Sequence, residues 1–236
     1  MRIFILTGAG VSAESGLGTF RDKDGEGIWA KFDPMKLATP EGFAADPAGV
    51  QAFYNARRRN LREAQPNAAH AALARLERAL AAKGGRLTLV TQNIDDLHEQ
   101  AGSGAVIHMH GELLKSRCGR CHAVSDQLDD IAVDAVCGQC GASGALRPHV
   151  VWFGEMPLFL DTIDEALAKA DLFVAIGSSG AVYPAAGYVQ IARRRRTPTC
   201  ELNLEPSDNA AAFDHRRYGP ASVIVPAWVD EVLAQA

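Results

Sequence analysis

The sequence predicts an α/β protein: a doubly wound parallel sheet carrying a small second domain made of a helical insertion and a zinc ribbon. Three observations lead there. Apolar strand-like runs alternate with helical stretches over most of the chain. A glycine turn follows the first strand, and two stretches that break the alternation hold an extra helix and four cysteines.

The first element is Ile3 to Leu6, an unbroken apolar run suited to a strand buried on both faces. Gly8, Gly10 and Ala13 then fit G-x-G-x-x-A. Gly8 permits the tight turn, and Gly10 lets backbone N–H groups approach a pyrophosphate. Ala13 is expected to let a following helix pack closely on the strand, its N-terminus facing the anion. Alone, the turn reads equally as a strand–helix connection without a ligand. Residues 22–66 lack a core strand but include a helix-like run, Gln51 to Glu63. Ala68 to Ala82 is the next helix, with Leu73, Leu76 and Leu80 at helical spacing. Strands follow at Leu87 to Val90 and Ala105 to Ile107. Beyond the cysteine-bearing residues 113–146, helices are expected at Asp164 to Ala170 and Pro184 to Arg194, with strands at Leu172 to Ile176, Thr199 to Leu204 and Val223 to Val225. The large domain then comprises 1–21, 67–112 and 147–236, and the small one 22–66 and 113–146.

Composition excludes several classes. The 236 residues are 47% hydrophobic and 22% charged, as in an ordinary globular protein. A net charge of -4 gives no basic footprint for nucleic acid or a membrane surface. The run Arg193 to Arg196 reads as a solvated helix end, where cations suit the dipole. No apolar run approaches the roughly 20 residues that span a bilayer. The first core strand follows Met1 almost at once, so no signal peptide is expected and a cytoplasmic location is the default.

Cys118-x-x-Cys121 and Cys137-x-x-Cys140 are two chelating knuckles separated by 15 residues, 122 to 136. Four thiolates match a closed tetrahedral zinc site, which leaves no position open for substrate and so serves folding. A redox dithiol and an iron–sulfur cluster are the competing readings. Cys200, alone in a strand, is a core residue, and His122 is a bystander.

In open α/β sheets, ligands bind beyond the carboxyl ends of the strands. Polar groups collect at those ends: Thr91-Gln92-Asn93-Ile94-Asp95, His108-Met109-His110-Gly111, Gly177-Ser178-Ser179 and Asn203-Leu204-Glu205. One such group could cap or turn; several together with the glycine turn indicate a site. With these motifs the chain resembles the sirtuins, NAD-dependent protein-lysine deacylases. The resemblance is carried by GAGVSAESG at 8–16, TFR at 19–21, TQNID at 91–95, HG at 110–111, the four cysteines and NLEP at 203–206.

That resemblance implies a Rossmann-like large domain, with NAD and acyl-lysine meeting in the cleft beside the small domain. It places Gly8, Ala9, Gly10, Ser12, Ala13 and Glu14 around the pyrophosphate, with Phe20, Arg21 and Trp29 in the cofactor loop. Gln92, Asn93, Ile94 and Asp95 line the nicotinamide pocket. Gly177, Ser178, Ser179, Asn203, Leu204, Glu205 and Ala221 hold the adenosine half. Val151, Trp152, Phe153, Gly154 and Glu155 pair with the substrate peptide as an added strand. The acyl carbonyl oxygen attacks C1′ of the nicotinamide ribose and nicotinamide leaves. A base then activates a ribose hydroxyl, and the products are free lysine and O-acyl-ADP-ribose. Spacing does not separate His108 from His110 as that base, and the resemblance selects His110; His70, at a helix start, reads as a hydrogen-bonded core residue.

Tyr54 and Arg57, three apart on a helix, share a face. Alone they read as surface. The desuccinylase/demalonylase branch of the sirtuins carries Y-x-x-R here, and a guanidinium fork with a phenol suits the free acid of succinyl- or malonyl-lysine. Acetyl-lysine is disfavoured by the same pair without being excluded. The chain departs from the family pattern at Gly18, Asp22-Lys23 and Gly180. A dehydrogenase, a mono-ADP-ribosyltransferase and a non-catalytic zinc module are the rival readings.

Overall fold

The computed structural model describes residues 1–19 and 28–235. Nine strands run in chain order: β1 Arg2–Thr7, β2 Arg86–Thr91, β3 Val106–His108, β4 Gly111–Cys118, β5 Val124–Asp126, β6 Leu146–Val150, β7 Leu172–Ile176, β8 Thr199–Asn203 and β9 His215–Tyr218, counted among the described residues. The helices are α1 Ile28–Lys31, α2 Pro34–Leu37, α3 Pro40–Ala45, α4 Pro47–Glu63, α5 Ala68–Ala82, α6 Leu97–Gln100, α7 Leu160–Ala168, α8 Tyr188–Arg194 and α9 Ala221–Gln235.

Six strands form a parallel sheet in the order β3-β2-β1-β7-β8-β9. Strand order reverses between β1 and β7, which is where a doubly wound sheet opens a crevice. Both faces are covered, so β1 is apolar on each. Ile3 and Ile5 pack with Leu73 and Leu76 of α5 and Val225 and Trp228 of α9. Phe4 and Leu6 pack with Ile163 and Leu167 of α7 and Tyr188 and Val189 of α8. A second, antiparallel sheet, β5-β4-β6, carries the cysteines. The helix α4 lies against it, burying Val50, Tyr54 and Leu61 with Leu113, Val150 and Trp152. Polar bonds fasten the same contact: Asn55 Nδ2 donates to the Ile131 carbonyl (3.0 Å) and Gln51 Nε2 to that of Leu146 (2.8 Å).

Helix starts follow their caps. Asp46 accepts from Gly49 N–H with Pro47 at the first helical position of α4. Asn67 and His70 form a reciprocal box at the start of α5.

Two expectations need correction, and one strand has no counterpart in the sequence reading. Val223 to Val225 is not a strand but the first turn of α9, where Val225, Trp228 and Val229 make an i, i+3, i+4 stripe against α5. A three-residue apolar run cannot declare its period, and the packing decides it. Among the described residues no α-helix directly follows the glycine turn; two 3-10 turns, Ala9–Val11 and Ala13–Ser15, take its place and leave Ala13 exposed. Ala13 therefore does not seat a helix on the strand. Finally β9, with sequence His-Arg-Arg-Tyr, is an exposed edge strand and gave no apolar pattern. Smaller boundary shifts occur at α4, which starts at Pro47, and α7, which starts at Leu160.

Candidate active site

The loops after β1, β2, β7 and β8 line one cleft of about 740 Å³, within the usual range for cofactor sites. Its floor is the reversal point of the sheet. Gly8 N–H donates to the Ile176 carbonyl and Gly10 N–H to that of Gly177, both at 2.9 Å. A Cβ on Gly8 would lie 2.7 Å from Gly177 O, and one on Gly10 would lie 2.8 Å from Gly177 Cα. The glycines at 8 and 10 thus let the first turn press against the loop after β7. Gly8, Ala9, Gly10, Ala13 and Glu14 line the cleft on this side. The Glu14 carboxylate takes the Ser222 hydroxyl (2.6 Å) and Ser222 N–H (2.8 Å) at the start of α9, and these bonds lower its pKa.

Gly177, Ser178, Ser179, Asn203, Leu204, Glu205 and Ala221 line the cleft beside this turn. Asn203 Nδ2 donates to the Ser178 carbonyl (2.9 Å), and Gln92 Nε2 to Ser178 Oγ (3.0 Å). Val151 to Glu155 form the rim. Beyond β6, Val151 N–H donates to His110 O (2.8 Å), and the chain turns at Phe153-Gly154, where Gly154 has φ +87°. Glu155 points into an ion pair with Arg147 (2.6 Å), itself stacked on Trp152 with Cζ 3.3 Å from the ring centre.

A smaller cavity of about 70 Å³ adjoins the cleft; Ala9, Asn93 and Ile94 belong to both. Ser12, Arg57 and Asp95 line it. Ser12 is the hub of its wall. Its hydroxyl donates to Asp95 Oδ2 (3.0 Å) and accepts from Asn93 Nδ2 (3.0 Å). His70 Nδ1 accepts from Asn67 N–H (3.2 Å), so Nε2 carries the proton and faces Ser12 Oγ at 3.4 Å. Burial pushes the Asp95 carboxyl up. It pushes His70 down to about 4.

The two histidines of the His-Met-His segment separate. His108 ends β3, buried, with Nε2 2.7 Å from Glu99. Burial opposes its charge, but the Glu99 hydrogen bond and charge outweigh this and raise its pKa. His110 lies one turn beyond the strand and lines the cleft. Its Nδ1 sits 3.0 Å from the Gln92 carbonyl, an acceptor only, so Nδ1 is the protonated nitrogen and Nε2 holds the lone pair. Burial lowers its pKa, favouring that neutral form. The strand-face argument that paired these residues fails because β3 stops at His108.

Tyr54 is buried at 3% exposure and lines the cleft; its oxygen accepts from Trp152 Nε1 (3.0 Å). Burial raises its pKa to about 12, so it remains a phenol with a proton to donate. Arg57 lies over the Phe53 ring at 5.7 Å and is close enough to Tyr54 and Asp95 for both to act on its charge. Neither residue is the surface side chain that spacing alone suggested. Phe20 and Arg21, and the side chain of Trp29, lie outside the described residues. Thr19 of the TFR segment lines the cleft as well, and sequence reasoning missed Tyr183 and Ser207, which also line it. The nearest available clue for the latter two was their place a few residues after a strand.

Cys118, Cys121, Cys137 and Cys140 bring their sulfurs within 4.8 Å of one another. The pairs Cys118–Cys140 and Cys121–Cys137 stand 3.8 and 3.7 Å apart. Thiolates at about 2.3 Å from zinc in a tetrahedron are about 3.8 Å apart, so the four fit a structural zinc ion.

Comparison with known proteins agrees with this geometry. A family model described as the Sir2 family matches residues 8–184. A relative from Caulobacter vibrioides named NAD-dependent protein deacylase is 61% identical, over 100% of this chain and 98% of its own length. Among solved structures, a Sir2 homologue in complex with ADP-ribose superposes with a TM-score of 0.91 at 39% identity, covering 99% of this chain and 92% of the other. Sir2 bound to an acetylated peptide gives 0.80 at 27% identity, covering 98% and 92%.

Proposed function

The chain belongs to the Sir2 family and is an NAD-dependent protein deacylase, and on that premise we propose that it removes succinyl and malonyl groups, and also acetyl groups, from lysines of other proteins. The observation that carries the acyl preference is the pair on α4. Tyr54 presents a phenol proton to the cleft, and Arg57 stands one turn away at the wall of the adjoining cavity. A carboxylate at the end of an acyl chain would take the guanidinium fork and the phenol together. An acetyl group leaves both without that acceptor.

NAD, consumed as a co-substrate, supplies the ribose–nicotinamide bond that is cut and the ribose that accepts the acyl group. The loops at 8–14, 177–179 and 203–205 hold it in the cleft, and Ala221 borders the adenosine end. Asn93 and Asp95 face the carboxamide in the smaller cavity, where Ser12 fixes both side chains. His110 accepts the proton of a ribose hydroxyl at Nε2, with the Gln92 carbonyl holding the ring in that tautomer. The rim at Val151 to Glu155 offers main-chain groups to an extended peptide, which demands little of its sequence. One water is consumed as the amine is released, and the products are the free lysine, nicotinamide and O-acyl-ADP-ribose.

The test is NAD turnover on matched acetyl-, malonyl-, succinyl- and longer-acyl-lysine peptides, following free nicotinamide and peptide mass. Faster turnover of the two acidic acyl groups is expected. Acetyl-lysine turned over tenfold faster than succinyl-lysine would overturn the preference. ADP-ribose added to the peptide, with the acyl group retained, would overturn the deacylation.

A further inference from the structure

We propose that Glu201 and Asn209 are positioning residues for NAD, clasping two strand-end loops into one wall and so setting NAD affinity without touching it. The inference rests on the reading above that the adenosine half lies along 177–179 and 203–205. Glu201 is the third residue of β8 and only 2% exposed. A carboxylate that deep is costly unless hydrogen-bonded. It accepts from the Ser207 hydroxyl, from Ser207 N–H (3.3 Å) and from the Tyr218 hydroxyl (3.0 Å). The loop after β8 is thereby pinned back onto its own strand and onto β9.

Asn209 extends the clasp to the other loop. Its Nδ2 donates to the Ala186 carbonyl (2.9 Å), and its Oδ1 lies 2.9 Å from Ser207 Oγ. Beside it, Asp208 N–H donates to the Ser179 carbonyl (3.0 Å). Gly180 makes room for this amide. It has φ +71°, and a Cβ there would lie 2.3 Å from Asn209 Oδ1 and 2.7 Å from Cγ. A side chain at 180 and this amide position exclude each other, which accounts for the glycine that departs from the family pattern. Glu201 and Asn209 help line a cavity of about 10 Å³, room for one water and not for a ligand. Their effect therefore passes through Ser207, which both touch and which faces the cleft, and through its neighbour Asp208, bonded to Ser179.

The test compares Glu201→Gln with wild type. The amide keeps the shape but removes the charge, and its NH2 must face either Ser207 N–H, which cannot accept, or the Tyr218 hydroxyl, which must turn round to accept. The KM for NAD and the Kd for ADP-ribose are expected to rise about tenfold, as the loss of a bond to a charged acceptor warrants. The kcat and the KM for acyl-peptide should stay within twofold, with zinc content unchanged. An ADP-ribose Kd within twofold of wild type, or a fall in kcat with KM for NAD unchanged, would overturn the proposal. If Glu201→Gln does not fold, a double-mutant cycle on ADP-ribose Kd decides. Gly180→Ala carries the strain of a side chain at φ +71° in either background, but the part of its effect that comes from striking the amide should vanish beside Asn209→Ala, so its effect should be smaller there than in wild type. Additive effects would overturn the clasp. Because ADP-ribose binding is read directly, a wild-type protein that binds it yet releases no nicotinamide would refute the deacylase reading alone.

Discussion

Replacing Arg57 by methionine tests the acyl preference directly. Methionine keeps the length and apolar bulk that pack near Phe53 and removes only the charged fork. A succinyl carboxylate held by that fork would lose two charge-assisted hydrogen bonds of roughly 1.5–3 kcal/mol each. The low end applies, because Asp95 lies close enough to act on the same guanidinium and competes for it. Losing about 3 kcal/mol of transition-state binding lowers kcat/KM by about 150-fold. An acetyl group never meets the fork, so deacetylation should change by no more than about threefold. The assay is free nicotinamide released from NAD with matched succinyl- and acetyl-lysine peptides, at peptide concentrations well below KM. Equal loss on both substrates would mean that Arg57 supports the fold of the site and does not read the acid. Tyr54→Phe is the weaker companion, since it also strips Trp152 Nε1 of its acceptor and should lower Tm.

His110→Tyr should give folded, zinc-loaded protein with turnover reduced 10²–10⁴-fold, in the range for a lost general base. Because burial lowers the His110 pKa, the acid limb of wild-type kcat should fall below 6.5, and a midpoint above 6.5 would count against this histidine as the base. His70 predicts a stability effect. Its folded pKa of about 4 lies below the ordinary 6.5, so the unfolded chain binds the proton first and stability falls as pH drops between those values. The difference is worth about 3 kcal/mol. His70→Gln, which can still complete the box at α5, should lose less over that range in denaturant titrations; parallel curves would refute the assignment. Cys137→Ala should abolish zinc binding by metal analysis and lower Tm sharply, because structural zinc contributes folding energy outright. Unchanged Tm without metal would show that the ribbon folds unaided.

Much of the fold was legible because the buried strands are apolar on both faces: Ile3 to Leu6 and Leu172 to Ile176 announce themselves without periodicity. β9 was not, since an exposed edge needs no apolar side chains, and α9 was misread where its first turn is β-branched. The site was legible as strand-end motifs, but its wiring was not. Nothing local to Ser12 says that Asn93, Asp95 and His70 converge on it from 58 to 83 residues away. Gly10 was assigned to ligand approach, whereas the structure shows it also serving a contact with Gly177, visible only once β1 and β7 are neighbours. Tyr54 and Arg57 read as surface because their helix is polar overall; the second sheet and Trp152 bury Tyr54, while Arg57 is half-buried over Phe53 at the smaller cavity.

The bonds between α4 and the cysteine-bearing sheet impose an order on assembly. Asn55 and Gln51 reach acceptors at Ile131 and Leu146, residues made 76 and 95 positions later. On the ribosome, α4 emerges long before its partners exist, and the last cysteine before the sheet can close is Cys140. The α4 pair proposed to read the acyl chain is thus set in place only after the metal-binding segment has been synthesised, whereas the glycine turn needs β7 and not the metal. In a zinc-starved cell the newly made chain would retain much of its large sheet and lose substrate discrimination first.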